Sequence, residues 1–172
     1  MVTLTSFINT IKSTPVSIGF LKKRVPKDVD VVSYEQLRGK HRRDLFRGKR
    51  AIIVLIPKKG SKLGHFIALL PRRHHIEYFS SLGNSWEREL DLLKEPHKIF
   101  KELFGNQFIY NHVKLQSGSY KVEDCAAWVL ARVFLSKLKL REFVQLFQRT
   151  ISLTGSDSIV ALMTMLLFLD RT

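Results

Sequence analysis

The segment Ala51-Ile52-Ile53-Val54-Leu55-Ile56 carries no polar side chain, is dominated by β-branched residues, and is stopped by Pro57. Branching at Cβ favours extended backbone, and a run without polar alternation has no face to offer water. It therefore reads as a strand buried on both sides, which needs a neighbour along each edge and a layer of structure over each face. Suitable neighbours follow directly. Residues 65–70 and 76–79 are two further apolar strands, separated by a polar, glycine-bearing turn at 58–64 and a basic turn at 71–75. The three make a meander, and residues 29–34 read as a short strand upstream of it.

The covering layers are helical. Apolar residues recur at helical spacing over 4–11, where Pro15 stops them, and over 86–93. Pro96 opens a helix at 98–104 that Gly105 ends. Residues 38–50 read as a loop or short helix, and 108–115 return to strand. Three helical segments follow at 126–138, 141–150 and 156–169, the last with Thr154, Ser156 and Asp157 as available caps. Strands followed by packed helices predict an α+β domain whose central, mostly antiparallel sheet is flanked by helices. At 172 residues, with no linker long enough to divide it, the chain is expected to form one domain over 1–172.

Cys125 is the only cysteine. It lies where the loop 116–124 meets the apolar stretch 126–138, at or next to a helix N-terminus, where the helix dipole and unpaired N–H groups favour a thiolate. Two readings follow: a nucleophile paired with an upstream histidine, or a small apolar core residue. One cysteine forms no disulfide within the chain, which suits an intracellular or intravirion setting, in host cytoplasm or nucleus. Residues 1–7 show neither a basic nor a continuous apolar region of the kind a signal peptide needs. The longest apolar run, 159–169, is interrupted by Thr164 and is too short to span a bilayer, so no membrane partner is expected. No His-Glu-x-x-His pattern or cysteine pair marks a metal site, and His74, His75, His97 and His112 read as surface residues; no metal or cofactor is expected.

Charge is the second constraint. The formal net charge is +14, and residues 1–86 hold 17 Lys and Arg against 5 acids while residues 87–172 hold 12 against 10. The densest stretch is Arg38, Lys40, Arg42, Arg43, Arg47, Lys49 and Arg50, followed by Lys58, Lys59, Lys62, Arg72 and Arg73. Such a bias points to a polyanion, above all to DNA bound without sequence preference; a solvated basic face with no ligand is the alternative. No zinc-finger or aromatic RNA-binding signature accompanies it.

The order of motifs resembles the adenovirus-type cysteine proteases and their relatives, the ubiquitin-like-protein proteases and the maturation proteases of virophages and Maverick/Polinton elements. Gly64-His65-Phe66-Ile67-Ala68-Leu69-Leu70 is similar to that superfamily's histidine strand. Tyr78-Phe79-Ser80-Ser81-Leu82-Gly83 is similar to its acid-bearing segment, Leu115-Gln116 to its oxyanion glutamine, and Asp124-Cys125-Ala126 to its Cys-Gly pair. The likeness spans roughly 16–138. It implies a papain-like, adenain-like fold with the nucleophile at a helix N-terminus. Implied roles are Cys125 as nucleophile, His65 as base and then acid, and Gln116 with the Cys125 backbone N–H as oxyanion donors. The implied partner is a polypeptide substrate, such as a capsid precursor, cut beside small residues by a monomeric enzyme.

Three departures stand out: Ala126 replaces glycine, Gln116 lies nine residues before Cys125, and Ser80 occupies the acid position. A serine there can orient His65 but cannot neutralise an imidazolium, which a Cys-His pair needs less than a Ser-His pair. Glu77 is the nearest carboxylate, but strand alternation points it away from the Ser80 face. A non-catalytic nucleic-acid-binding protein on the same fold and a ubiquitin-like-protein hydrolase are the rival readings.

Overall fold

The computed structural model describes residues 16–61, 64–116 and 122–154; the helices expected at 4–11 and 156–169 lie outside them. In chain order the elements are α1 (Ile18–Lys22), β1 (Val29–Ser33), a 3-10 turn (Glu35–Leu37), α2 (Arg42–Leu45), β2 (Ala51–Pro57), β3 (Gly64–Pro71) and β4 (Ile76–Phe79). Then come α3 (Trp86–Leu93), α4 (Lys98–Phe104), β5 (Phe108–Tyr110), α5 (Val122–Phe134) and α6 (Leu140–Thr154). The five strands form one sheet in sequential order. The meander β2-β3-β4 is antiparallel, with Val54 opposite Ile67 and Leu69 opposite Tyr78. Both outer pairings, β1 with β2 and β4 with β5, are parallel. A mostly antiparallel sheet was expected; instead the pairings divide evenly, because each outer strand joins its neighbour through a helix-bearing crossover that returns it in the same direction.

The doubly buried reading of β2 is seen directly, with Ile52, Ile53, Val54 and Ile56 fully buried. Alternation divides the core in two. Phe66, Ala68 and Leu70 of β3 pack with Trp128, Val129 and Phe143 under α5 and α6. Ile67 and Leu69 pack with Leu90, Leu93 and Phe100 under α3 and α4. Strand β5 is shorter than the expected 108–115: beyond Tyr110 the chain leaves the sheet, and the buried Asn111 side chain turns to hydrogen-bond the backbone of Ser80 and Val113. Helix α6 starts one residue earlier than expected and runs four residues further.

One ion cluster lies inside the α5 layer. Arg132 is fully buried and donates to both carboxylate oxygens of Glu77, at 2.6 and 3.0 Å. It also donates to the carbonyls of Leu135 and Leu138, while Arg72 donates to Glu77 from the other side and to Ser136 O. A buried carboxylate between two guanidiniums has every oxygen occupied, the condition under which burying such charges is tolerable. The cluster joins the C-terminal end of α5 to β4.

Candidate active site

Two sheet faces converge on the start of β3. From the α5 side comes Cys125, fully buried, whose Sγ accepts the backbone N–H of Phe66 at 3.3 Å. The helix carrying it starts at Val122, not at 126 as expected, so the sulfur lies within the first turn rather than ahead of it. The positive end of the helix dipole still acts there. His65 stands one peptide bond from that N–H, and its ring reaches Ser80 and, on α3, Glu89.

His65 is fully buried, and burial drives its pKa from the ordinary 6.5 down to about 3, so the ring is neutral. Its Nε2 lies 3.0 Å from Ser80 Oγ. Ser80 is the first residue after β4 and is held by its own backbone: its N–H donates to Asn111 Oδ1 at 3.2 Å and its carbonyl accepts from Asn111 Nδ2 at 2.7 Å. The turn that follows is close-packed against the segment leading to Gln116. Gly83 has φ +70°, and a Cβ there would lie 2.6 Å from the carbonyl carbon of Val113, so only glycine fits.

The carboxylate that Ser80 lacks stands behind it. Ser80 Oγ donates to Glu89 Oε2 at 2.7 Å, and Glu89 Oε1 lies 3.7 Å from His65 Nε2. Glu89 is fully buried, and burial raises its pKa from 4.5 to about 7, against hydrogen bonds from Ser80 and Asn84 and the charge of Arg88, which lower it. Sequence reasoning missed this residue while looking for an acid near position 80. A signal was present: the buried stripe of α3 is Trp86, Glu89, Leu90, Leu93, so a carboxylate occupies an apolar position at helical spacing. Glu77 faces the other way, as alternation requires, and is consumed by Arg72 and Arg132.

Gln116 is buried and anchored to the same turn. Its backbone N–H, like that of Leu115, donates to Ser81 O, and its Oε1 accepts from Ser81 Oγ at 2.6 Å. With the oxygen so engaged, the amide presents its Nε2 as the donor end. Cys125, His65, Ser80 and Gln116 are thus tied to one region by β3, the 80–83 turn and the start of α5.

The basic residues do not form a single free patch. Arg38 pairs with Glu35, Arg47 with Asp44 and Arg50 with Asp28; Arg42 hydrogen-bonds Gln107, and Lys49 donates to Lys27 O. Arg72 belongs to the Glu77 cluster. Lys40, Arg43, Lys58, Lys59 and Arg73 are exposed.

Neither a protein-family model nor a curated protein matches the chain. Among solved structures, eight chains match. One is the ASFV pS273R protease, with 16% identity and a TM-score of 0.37, over 69% of this chain and 43% of that one. Another is the SUMO protease Ulp1 with its catalytic cysteine oxidised to a sulfinic acid, with 14% identity and a TM-score of 0.37, over 96% of this chain and 76% of that one. This chain thus spans less than half the length of the first and about three quarters of the second; both neighbours are proteases, the second with a catalytic cysteine.

Proposed function

We propose that the protein is a cysteine endopeptidase in which Cys125 is the nucleophile and His65 the general base and acid. The observation that carries the reading is the meeting of three groups at the start of β3. The Cys125 sulfur lies on the N–H next to His65, and His65 Nε2 is engaged by Ser80. Proton exchange with the thiol then falls to Nδ1, the other ring nitrogen. Cys125 loses its proton to His65 and attacks the scissile carbonyl, and the oxyanion takes donors from Gln116 Nε2 and first-turn N–H groups of α5. His65 returns the proton to the leaving amine, and water hydrolyses the acyl-enzyme. The resemblance noted above adds a preference for small residues, glycine among them, and a role in processing capsid or other precursor proteins. DNA binding through exposed Lys40, Arg43, Lys58, Lys59 and Arg73 accompanies it in this reading.

The test is a peptide library digested by wild type, Cys125→Ala and His65→Ala, with new termini identified by mass spectrometry. Cleavage by wild type alone is expected; equal cleavage by the Cys125→Ala protein overturns the assignment. The complete burial of both Cys125 and His65 favours a second reading, a non-catalytic binding protein on the same scaffold. A thiol-directed electrophile separates the two: the endopeptidase labels at Cys125 in the native state, and the binding protein labels only after unfolding.

A further inference from the structure

We propose that Glu89 is the positioning carboxylate of this site, acting through the Ser80 hydroxyl, and that its ionisation selects which ring nitrogen of His65 carries the proton. The inference rests on the endopeptidase reading for its consequence, and on hydrogen-bond counting for its content. Ser80 Oγ has one proton to give and two lone pairs, and three neighbours: His65 Nε2 at 3.0 Å, Glu89 Oε2 at 2.7 Å and the Leu82 N–H at 3.3 Å. The Leu82 N–H can only donate, so it takes one lone pair.

When Glu89 is ionised it can only accept. The Ser80 proton then points to Oε2, the remaining lone pair of Oγ accepts from His65 Nε2–H, and the ring's basic lone pair is on Nδ1. When Glu89 takes one proton from solvent, its hydroxyl can donate to Ser80 and the Ser80 proton turns to Nε2. His65 keeps a single proton, now on Nδ1, and cannot accept one from a thiol there. Proton count balances: one is gained, at Glu89, and the ring only exchanges tautomers.

The surroundings suit such a device. The Asn111 clamp on the Ser80 backbone fixes the hydroxyl between its partners. Among the described residues, the titratable or charged groups bearing on Glu89 are His65 from β3 and Arg88 from its own helix, with the Asn84 amide as a neutral partner. Burial raises the Glu89 pKa to about 7 and lowers that of His65 to about 3, so near neutrality the carboxyl titrates while the imidazole stays uncharged. A strand carboxylate in direct contact would stabilise an imidazolium; a serine-relayed helix carboxylate instead sets the tautomer.

The experiment is NMR of the full chain with 13C,15N-labelled histidine, scanned over roughly pH 5.5 to 8.5, where an unperturbed carboxyl would not titrate. The His65 signals are assigned by their loss in His65→Asn. In wild type the proton is expected on Nδ1 at the low end and Nε2 at the high end, with one midpoint. Glu89→Gln and Ser80→Ala are each expected to abolish the midpoint, leaving one tautomer throughout; the two variants give independent routes should either fold poorly. A wild-type tautomer that does not change, or a midpoint that survives in Glu89→Gln, overturns the proposal. No substrate enters the measurement. A tautomer switch without peptide cleavage would refute the endopeptidase reading alone, and cleavage without a switch would refute this one alone.

Discussion

Replacing Glu89 by glutamine should stabilise the protein in alkali and leave it nearly unchanged in mild acid. The side chain is fully buried, so no solvent screening reduces the effect. Burial raises its pKa from 4.5 to about 7, which means the folded protein holds the protonated form more tightly than the unfolded chain does. The sign follows: the contribution favours folding below the unfolded value and is lost as pH rises through the folded one. At about 1.4 kcal/mol per pKa unit, wild type at pH 8.5 carries a penalty of about 3 kcal/mol that falls below about 1 kcal/mol at pH 5. Glutamine imitates the protonated acid, accepting from Ser80 without a charge to desolvate. Urea unfolding of both proteins at the two pH values measures the difference. Glu89→Gln is expected to gain about 2–3 kcal/mol on wild type at the higher pH and to match it within about 1 kcal/mol at the lower. A variant equally destabilised at both would refute the claim that burial outweighs the hydrogen bonds of Glu89 and disfavours its charged form.

His65 acts in the opposite sense: burial lowers its pKa to about 3, so its contribution is present above 6.5 and is lost as pH falls towards 3. Wild type should therefore unfold readily in acid, and His65→Gln should shift that transition to lower pH in a circular-dichroism titration. Arg132→Met strips one guanidinium from buried Glu77 and two carbonyls, and should cost about 3–5 kcal/mol in denaturant melts. Gly83→Ala drives a Cβ into the Val113–Lys114 backbone at positive φ and should cost upwards of about 2 kcal/mol while lowering cleavage through Gln116, read as kcat/KM at fixed temperature. Duplex DNA binding should weaken steeply with salt, and neutralising the exposed Lys40, Arg43 and Arg73 together should flatten the slope of log affinity against log salt more than neutralising Lys137, Lys139 and Arg141.

Much of the sheet was legible because it rests on composition of short runs: 76–79 is the observed β4, and 86–93 and 98–104 are the observed α3 and α4. Element type followed from apolar period and from proline and glycine at the ends. The start of α5 was not legible. Val122, Glu123 and Asp124 join the helix ahead of Cys125, and nothing in their residue types separates a helical first turn from the end of a polar loop. Strand β5 was read too long because Asn111 looks like an ordinary strand residue until its side chain meets Ser80. In the site, His65 and Ser80 were found through motif order, and their 3.0 Å separation is a tertiary fact. Glu89 shows the limit more sharply: a neighbour in space but 24 residues on from His65 in the chain, it could be suspected only from its place on an apolar stripe.

The Glu77–Arg132 pair acts at a distance. Arg132 lies seven residues along α5 from Cys125, about 10 Å at 1.5 Å per residue. Glu77 lies three residues before Ser80 on the neighbouring element. One arm thus carries the sulfur and another carries the group that holds His65, and both are tied at the same ion pair. A tilt of about 5° about that pair would move the sulfur by about 1 Å, a displacement that can cost about 100-fold in rate where a reacting pair must be aligned. Substitutions far from the thiol, in residues that touch neither substrate nor imidazole, can therefore detune the chemistry by leverage alone.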